Sequence, residues 1–244
     1  PEDKGENIRR EICLTLEQMG IRPESSHHEE GPGQNEIDFR YSDALSAADN
    51  VITFQSIVKT VAHKNGLHAD FSPKPIAGPG SGFHINMSLK VNDGNDYLQP
   101  MIAGILDKIS DMTVFLNHTE NSYERFGSNK APGYISWSSE NRSQLVRIPA
   151  AVGEYRRAEL RSPDPTANPY LAFALLIHAG LHGIQNKLAL PAPADVNLYK
   201  ADSKTLAMYQ KLPQDLESAR SLAAQSAFIK KIIPKAILDI YCKN

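Results

Sequence analysis

The stretch Tyr155-Arg156-Arg157-Ala158-Glu159-Leu160-Arg161, followed at once by Ser162-Pro163-Asp164-Pro165, decides how this chain is read. As a strand, its side chains alternate between faces, so Arg157, Glu159 and Arg161 point the same way. Such a row sets two rigid clamps for phosphate or carboxylate on either side of a carboxylate suited to a metal ion. Gly80-Ser81-Gly82-Phe83-His84-Ile85-Asn86-Met87-Ser88-Leu89 has the same character. There His84, Asn86 and Ser88 share one face, and Phe83, Ile85, Met87 and Leu89 share the other. A sheet with one polar, ligand-bearing face and one apolar face suits a nucleotide-and-metal site.

Outward from these segments, strands are expected at 134–138, 144–148 and 154–161, and near 67–71 and 82–89, with a Pro/Gly-rich loop over 72–80. Residues 23–40 read as two strands joined by Gly31-Pro32-Gly33, residue types that favour a turn. A helix fits roughly 5–19, with Gly20 as its stop, and a longer one runs from Ser42 or Asp43 to Asn65, stopped by Gly66. Residues 95–118 read as mostly helical and 121–133 as a mobile polar loop. Asn168-Pro169 starts a helix carrying the apolar run from Tyr170 to Ile184. Residues 191–202 form a loop, and two or three helices close the chain. Central strands in hairpin-like order, flanked by helices, make this an α+β fold with a mostly antiparallel sheet.

The chain has 244 residues, 41% of them hydrophobic, enough for one large domain with a sizeable core. Its net charge of −2 gives no global pull toward nucleic acid or a membrane, so anion binding must be local. Cys13 and Cys242 have neither paired nor metal-type spacing, which fits a reducing cytoplasm. There is no run long and apolar enough to span a bilayer, and no signal peptide. Pro1 opens without Met and Asn244 stops beside a helix, so the chain reads as a fragment cut at both ends.

Three constellations carry chemistry. Glu29 and Glu36 flank the Gly31-Pro32-Gly33 turn, where a hairpin brings both carboxylates toward one point as oxygen ligands for a hard divalent cation; the plainer reading is a solvated acidic turn. The adjacent His27 and His28 face opposite ways and do not chelate together. His84 follows a Gly-Ser-Gly approach that lets backbone come close to a ligand, although a lone histidine is more often structural. Arg125, Arg142, Arg147, Arg157 and Arg161 fall in or beside the central strands, where half-buried guanidiniums need an anion. Singly, each reads as solvated charge. Together with carboxylates and an imidazole they suggest phosphoryl transfer. Residue types alone allow Ser-His-Asp hydrolysis, but no spacing supports it.

Several motifs occur in the order of one family. His27-His28-Glu29-Glu30-Gly31-Pro32-Gly33-Gln34-Asn35-Glu36-Ile37, Ala48-Asp49-Asn50, Pro73-Lys74-Pro75, Gly80-Ser81-Gly82-Phe83-His84, Asn141-Arg142-Ser143, Arg147-Ile148-Pro149, the Arg157-x-Glu159-x-Arg161 row and Pro163-Asp164-Pro165-Thr166-Ala167-Asn168-Pro169-Tyr170-Leu171 resemble signatures of glutamine synthetase, over about residues 1–235. The resemblance implies a glutamine synthetase catalytic domain over 1–244, with a curved, guanido-kinase-like sheet. It implies ligation of ammonia to glutamate through γ-glutamyl phosphate, with ATP and two Mg²⁺ or Mn²⁺ ions, in a cytoplasmic ring-type homo-oligomer. Carried over, Glu29 and Glu36 hold one ion, and His84 and Glu159 the other. Gly80, His84, Arg125 and Arg161 face glutamate. Asn86, Ser88, Arg142, Arg147 and Arg157 face the nucleotide, with Arg142 on the γ-phosphate, and Arg142, Arg161 and Arg125 are the catalytic arginines.

Departures from the family pattern are Pro79 where Asn often stands, Asn86 where a second His is often found, and Lys130 nearest to a Glu that closes the site. They keep open a γ-glutamyl ligase for another amine, and a non-catalytic assembly subunit is the rival from a different class. Asn197-Leu198-Tyr199 resembles a segment that some bacterial relatives adenylylate. The piece alone is expected to have little activity, because the resemblance places further metal-binding glutamates outside it.

Overall fold

The computed structural model describes residues 5–90, 93–128, 130–139, 141–151, 153 and 156–243. The chain divides into two compact units, one of residues 1–71 and 75–81, the other of 72–74 and 82–244.

In the first unit, helix α1 (Glu6–Gln18) is followed by an antiparallel hairpin of β1 (Pro23–His28) and β2 (Asn35–Phe39), then by helix α2 (Ala44–Lys64). α1 ends where Gly20 takes a φ of +82°, and α2 is capped by Asp43, whose side chain accepts the Ser46 amide. Ile12, Leu16 and Ile21 pack with Ile57 and Val61 of α2 into a small core. Residues 67–71 form no strand. The Leu67 amide instead donates to Ala62 O and closes the end of α2, and Phe71 lays its ring edge-on against Phe54 of that helix. Local capping and aromatic packing outcompete an unpaired strand.

The second unit is built around a four-stranded sheet in the order β3-β6-β5-β4, with β3 at Ile85–Met87, β4 at Trp137–Ser138, β5 at Val146–Arg147 and β6 at Ala158–Leu160. β3–β6 and β6–β5 are antiparallel, whereas β5–β4 is parallel, against the hairpin-like order expected of these strands. The strands are also shorter than expected, so His84 and Ser88 flank β3, and Arg157 and Arg161 flank β6. The expected strand beginning at 154 runs into Glu154 and Tyr155, which lie outside the described residues.

Helix α3 (Leu98–Leu116) precedes the short α4 (Glu120–Tyr123). Helix α5 (Pro169–Gln185) follows the sheet, and α6 (Ser203–Leu206), α7 (Leu216–Gln225), α8 (Ala227–Ile232) and α9 (Lys235–Cys242) come last. α5 starts as expected: Asn168 accepts the Tyr170 and Leu171 amides, and Pro169 occupies the first turn. Ile85, Val146 and Leu160 on the apolar sheet face join Ile102, Ile105, Ile109, Met112 and Phe115 of α3 in one core. α3 and α5 cross at bare backbone. A Cβ on Gly104 would lie 2.1 Å from Ala179 O, and one on Gly183 would lie 2.0 Å from Pro100 O. The segment expected to be a mobile polar loop at 121–133 holds part of α4 and the buried Tyr123 and Arg125, while Asn129 lies outside the described residues.

Candidate functional site

Strand register builds the polar face of the sheet. Asn86 on β3 and Arg147 on β5 are each directly opposite Glu159 on β6, so the three side chains project together. Arg147 Nε donates to Glu159 Oε2 at 2.6 Å, Arg161 Nη1 donates to Oε1, and His84 Nδ1 lies 3.4 Å from the same Oε1. Arg157 Nε donates to Asn86 Oδ1 at 3.0 Å, which puts Arg157 on this face as the alternation requires. Glu159 and Arg161 are 5% and 3% exposed. Arg142, in the loop before β5, and Ser88, just past β3, are exposed.

Burial disfavours the Glu159 charge, but Arg161, His84 and Arg147 outweigh it and hold the carboxyl below its ordinary range. Burial, then the Arg161 charge, pushes the His84 imidazole down to about 4, against the pull of Glu159. His84 is therefore neutral at neutral pH and keeps a nitrogen lone pair for a cation. Burial also lowers Arg161, opposed by Glu159.

A Cβ on Gly82 would lie 2.9 Å from His84 Nε2 and 3.6 Å from Arg125 Nη2, so the imidazole and this guanidinium meet at one glycine. Arg125 lies outside the strands, in the turn after α4. Its Nη1 donates to Ser162 O at 3.1 Å and sits 3.6 Å from Asp164 Oδ2, which also accepts Asn117 Nδ2 at 2.9 Å. The Nε atoms of Arg125 and Arg161 are buried with no hydrogen-bond partner among the described residues. Arg161 Nη2 reaches Lys130 O at 3.4 Å, and Lys130 adopts a φ of 68°. Asn117 and Asp164 were not singled out from the sequence. Charge in Pro163-Asp164-Pro165 is the one local signal for Asp164, and only folding shows that it is fully buried.

In the first unit, Glu29 and Glu36 meet at the hairpin as expected, but His27 joins them. It pairs with Glu36 across the two strands. Its Nε2 is 3.1 Å from Glu29 Oε1 and 4.0 Å from Glu36 Oε2, and the three donor atoms lie within 4.8 Å of one another. The period-two spacing of His27 and Glu29, which puts both on one face of β1's extension, is the sequence signal for this meeting. Arg9 of α1 holds the hairpin from behind, donating to Ser26 Oγ at 3.1 Å and Asn35 Oδ1 at 2.6 Å. Gln34 Nε2 donates to Gly80 O at 3.0 Å. Burial, with the negative charges of Asp38 and Glu29, raises the Glu36 carboxyl. A divalent cation relieves that repulsion, and the oxygen-rich donor set fits Mg²⁺ or Mn²⁺.

The family model of the glutamine synthetase catalytic domain matches residues 1–244. A glutamine synthetase of Staphylococcus aureus is 44% identical over 260 residues, taking in 100% of this chain and 58% of that protein. One of Clostridium saccharobutylicum is 43% identical, over 99% of this chain and 58% of its own length. Among solved structures, a GmaS/ADP complex matches 94% of this chain and 57% of its own with a TM-score of 0.84 and 29% identity. Apo GmaS without ligand matches 98% and 58%, with a TM-score of 0.86 and 30% identity. This chain thus spans somewhat over half the length of the relatives it matches.

Proposed function

This chain belongs to the glutamine synthetase catalytic-domain family, and on that premise we propose that its protein joins ammonia to the γ-carboxylate of glutamate at the expense of ATP. The observation that carries the reading is a buried carboxylate, Glu159, gathered with a neutral imidazole and two guanidiniums on one sheet face. That combination serves a cation and anionic oxygens at once, which is what forming an acyl phosphate demands.

In this reading, residues 1–244 are the catalytic domain. Glu29 and Glu36, with His27 beside them, hold one Mg²⁺ or Mn²⁺, and His84 and Glu159 hold the other. When bound, such ions neutralise phosphate charge and favour in-line transfer. The chain's own groups do the rest. Arg161 and Arg125, whose buried Nε atoms have no hydrogen-bond partner among the described residues, orient the glutamate carboxylate. Arg142 neutralises the γ-phosphate as it moves, and Arg147 and Arg157, with Asn86 and Ser88, orient the nucleotide. Gly82 leaves room for His84 and Arg125 to approach one another. The ADP bound to a GmaS relative supports a nucleotide here. A homo-oligomer and a cytoplasmic setting complete the reading, the latter fitting two free thiols. Among the described residues no helix is long and apolar enough to cross a membrane.

The test is γ-glutamyl hydroxamate formation by the full-length protein from glutamate, hydroxylamine, ATP and Mn²⁺. Absence of product overturns the reading. Lys130 and Pro79, the departures from the family pattern, motivate a second arm: a short amine or polyamine turned over faster than ammonia would move the assignment to another γ-glutamyl ligase.

A further inference from the structure

Arg142 sits in the loop between β4 and β5, and its side chain is exposed, so the direction of its guanidinium depends on how firmly the loop backbone is held. The segment from Pro191 to Tyr199 ties down that loop. Trp137 Nε1 on β4 donates to Pro191 O at 2.7 Å, and the Ala194 amide donates back to Trp137 O at 2.8 Å. Gln144 Nε2 donates to Val196 O at 2.6 Å. The Leu198 amide donates to Ser143 Oγ at 2.9 Å, and Tyr199 OH donates to Arg142 O at 3.4 Å. Ser143 Oγ in turn donates to Gln144 Oε1 at 3.1 Å. Three consecutive loop residues are thus gripped by one short segment. Ser143 and Gln144 are 2% and 0% exposed, so their hydrogen bonds face no competition from water.

The sheet does not require this arrangement, because Arg147 and Glu159 pair through strand register alone. What the contacts add is a fixed backbone under Arg142. We propose that Gln144 is a positioning residue. Together with Ser143 it locks the 191–199 segment onto the loop, and so aims the Arg142 guanidinium at the phosphoryl group in transfer. The proposal rests on the role given to Arg142 above. Misplacing a charge-stabilising group by about 1 Å costs on the order of 100-fold in rate.

The test uses the full-length protein with Gln144→Met, which keeps the volume and removes both polar groups, and Ser143→Ala, which removes the hydroxyl that accepts from Leu198 and donates to Gln144. The expected result is a kcat lowered about 10- to 100-fold with KM for ATP within about twofold of the parent. A double-mutant cycle separates positioning from packing: in an Arg142→Ala background, Gln144→Met should cause no further loss of kcat. Full additivity, an unchanged kcat in a folded Gln144→Met protein, or unfolding of both variants would each overturn the proposal. Hydrogen exchange provides a readout that needs no turnover. Amides of 141–144 and 196–199 should exchange faster in both variants while those of α3 stay protected. If the parent protein makes no γ-glutamyl product, the functional reading fails, and unchanged exchange in these segments would sink the strap separately.

Discussion

Arg147 and Glu159 stand directly opposite one another on neighbouring antiparallel strands, and the guanidinium Nε lies 2.6 Å from the carboxylate. Arg161 supplies a second cation to the same carboxylate from the end of β6. One carboxylate is therefore shared by two guanidiniums where little water reaches.

Removing that charge leaves both guanidiniums without compensation. Glu159→Gln should lower stability by about 3 kcal/mol, since breaking a buried pair strands the remaining charge. Urea unfolding of the parent and variant measures this, and a change below about 1 kcal/mol would show that water reaches the pair. Metal affinity should fall with it.

Acid should weaken the metal-free protein in two overlapping windows. The His84 pKa is lowered to about 4 in the fold from 6.5, so the unfolded chain binds its proton first. Stability is full above 6.5 and declines as pH falls toward 4. Its side chain is 28% exposed, which limits the size of the effect. The Glu159 pKa is also lowered, so its contribution is present above the unfolded carboxyl value near 4.5 and is lost as pH falls through the folded value. A melting-temperature profile from pH 8 to about 2 reads both, and in His84→Gln the loss between 6.5 and 4 should shrink.

The α3–α5 crossing should reject any side chain. Gly104→Ala or Gly183→Ala places a methyl about 2 Å from a carbonyl oxygen of the opposing helix, and backbone cannot step aside cheaply. A loss of about 1–3 kcal/mol is expected. Ile177→Ala, on the solvent side of α5, serves as the mild control. Equal melting temperatures for all three would show that the helices separate freely.

Mn²⁺ should stabilise the hairpin by compensating the burial and the carboxylate repulsion that together raise Glu36. Glu36→Gln should weaken Mn²⁺ binding at least tenfold by calorimetry, about the lower bound for disturbing a metal site. His27→Gln should weaken it less if the imidazole only braces Glu29. An equal loss would make His27 a ligand.

The elements most legible in the sequence are those specified by a few neighbouring residues. Asn168-Pro169 starts α5, Gly20 and Gly66 stop α1 and α2, and the Gly31–Gly33 turn makes the hairpin, because caps and turns are satisfied within a few bonds of chain. Strand ends were less legible. Residues 67–71 have strand composition but form no strand among the described residues, and the described strands of the central sheet run only two or three residues. The parallel β4–β5 pairing has no local signature, since register belongs to the pair.

The same division runs through the candidate site. Alternation alone put Arg157, Glu159 and Arg161 on one face, and residue chemistry alone marked Glu29, Glu36 and Glu159 for cations, whereas His84 came to a cation only through the family resemblance. Those conclusions needed only the period of an extended chain and the hardness of oxygen donors. Tertiary structure decided that Arg147 and His84 converge on Glu159, that Arg125 lies buried against Asp164, that His27 joins Glu29 and Glu36, and that residues 191–199 grip the Arg142 loop. These are meetings between segments far apart in sequence, created when apolar faces are buried together. Short-range stereochemistry carries no record of them.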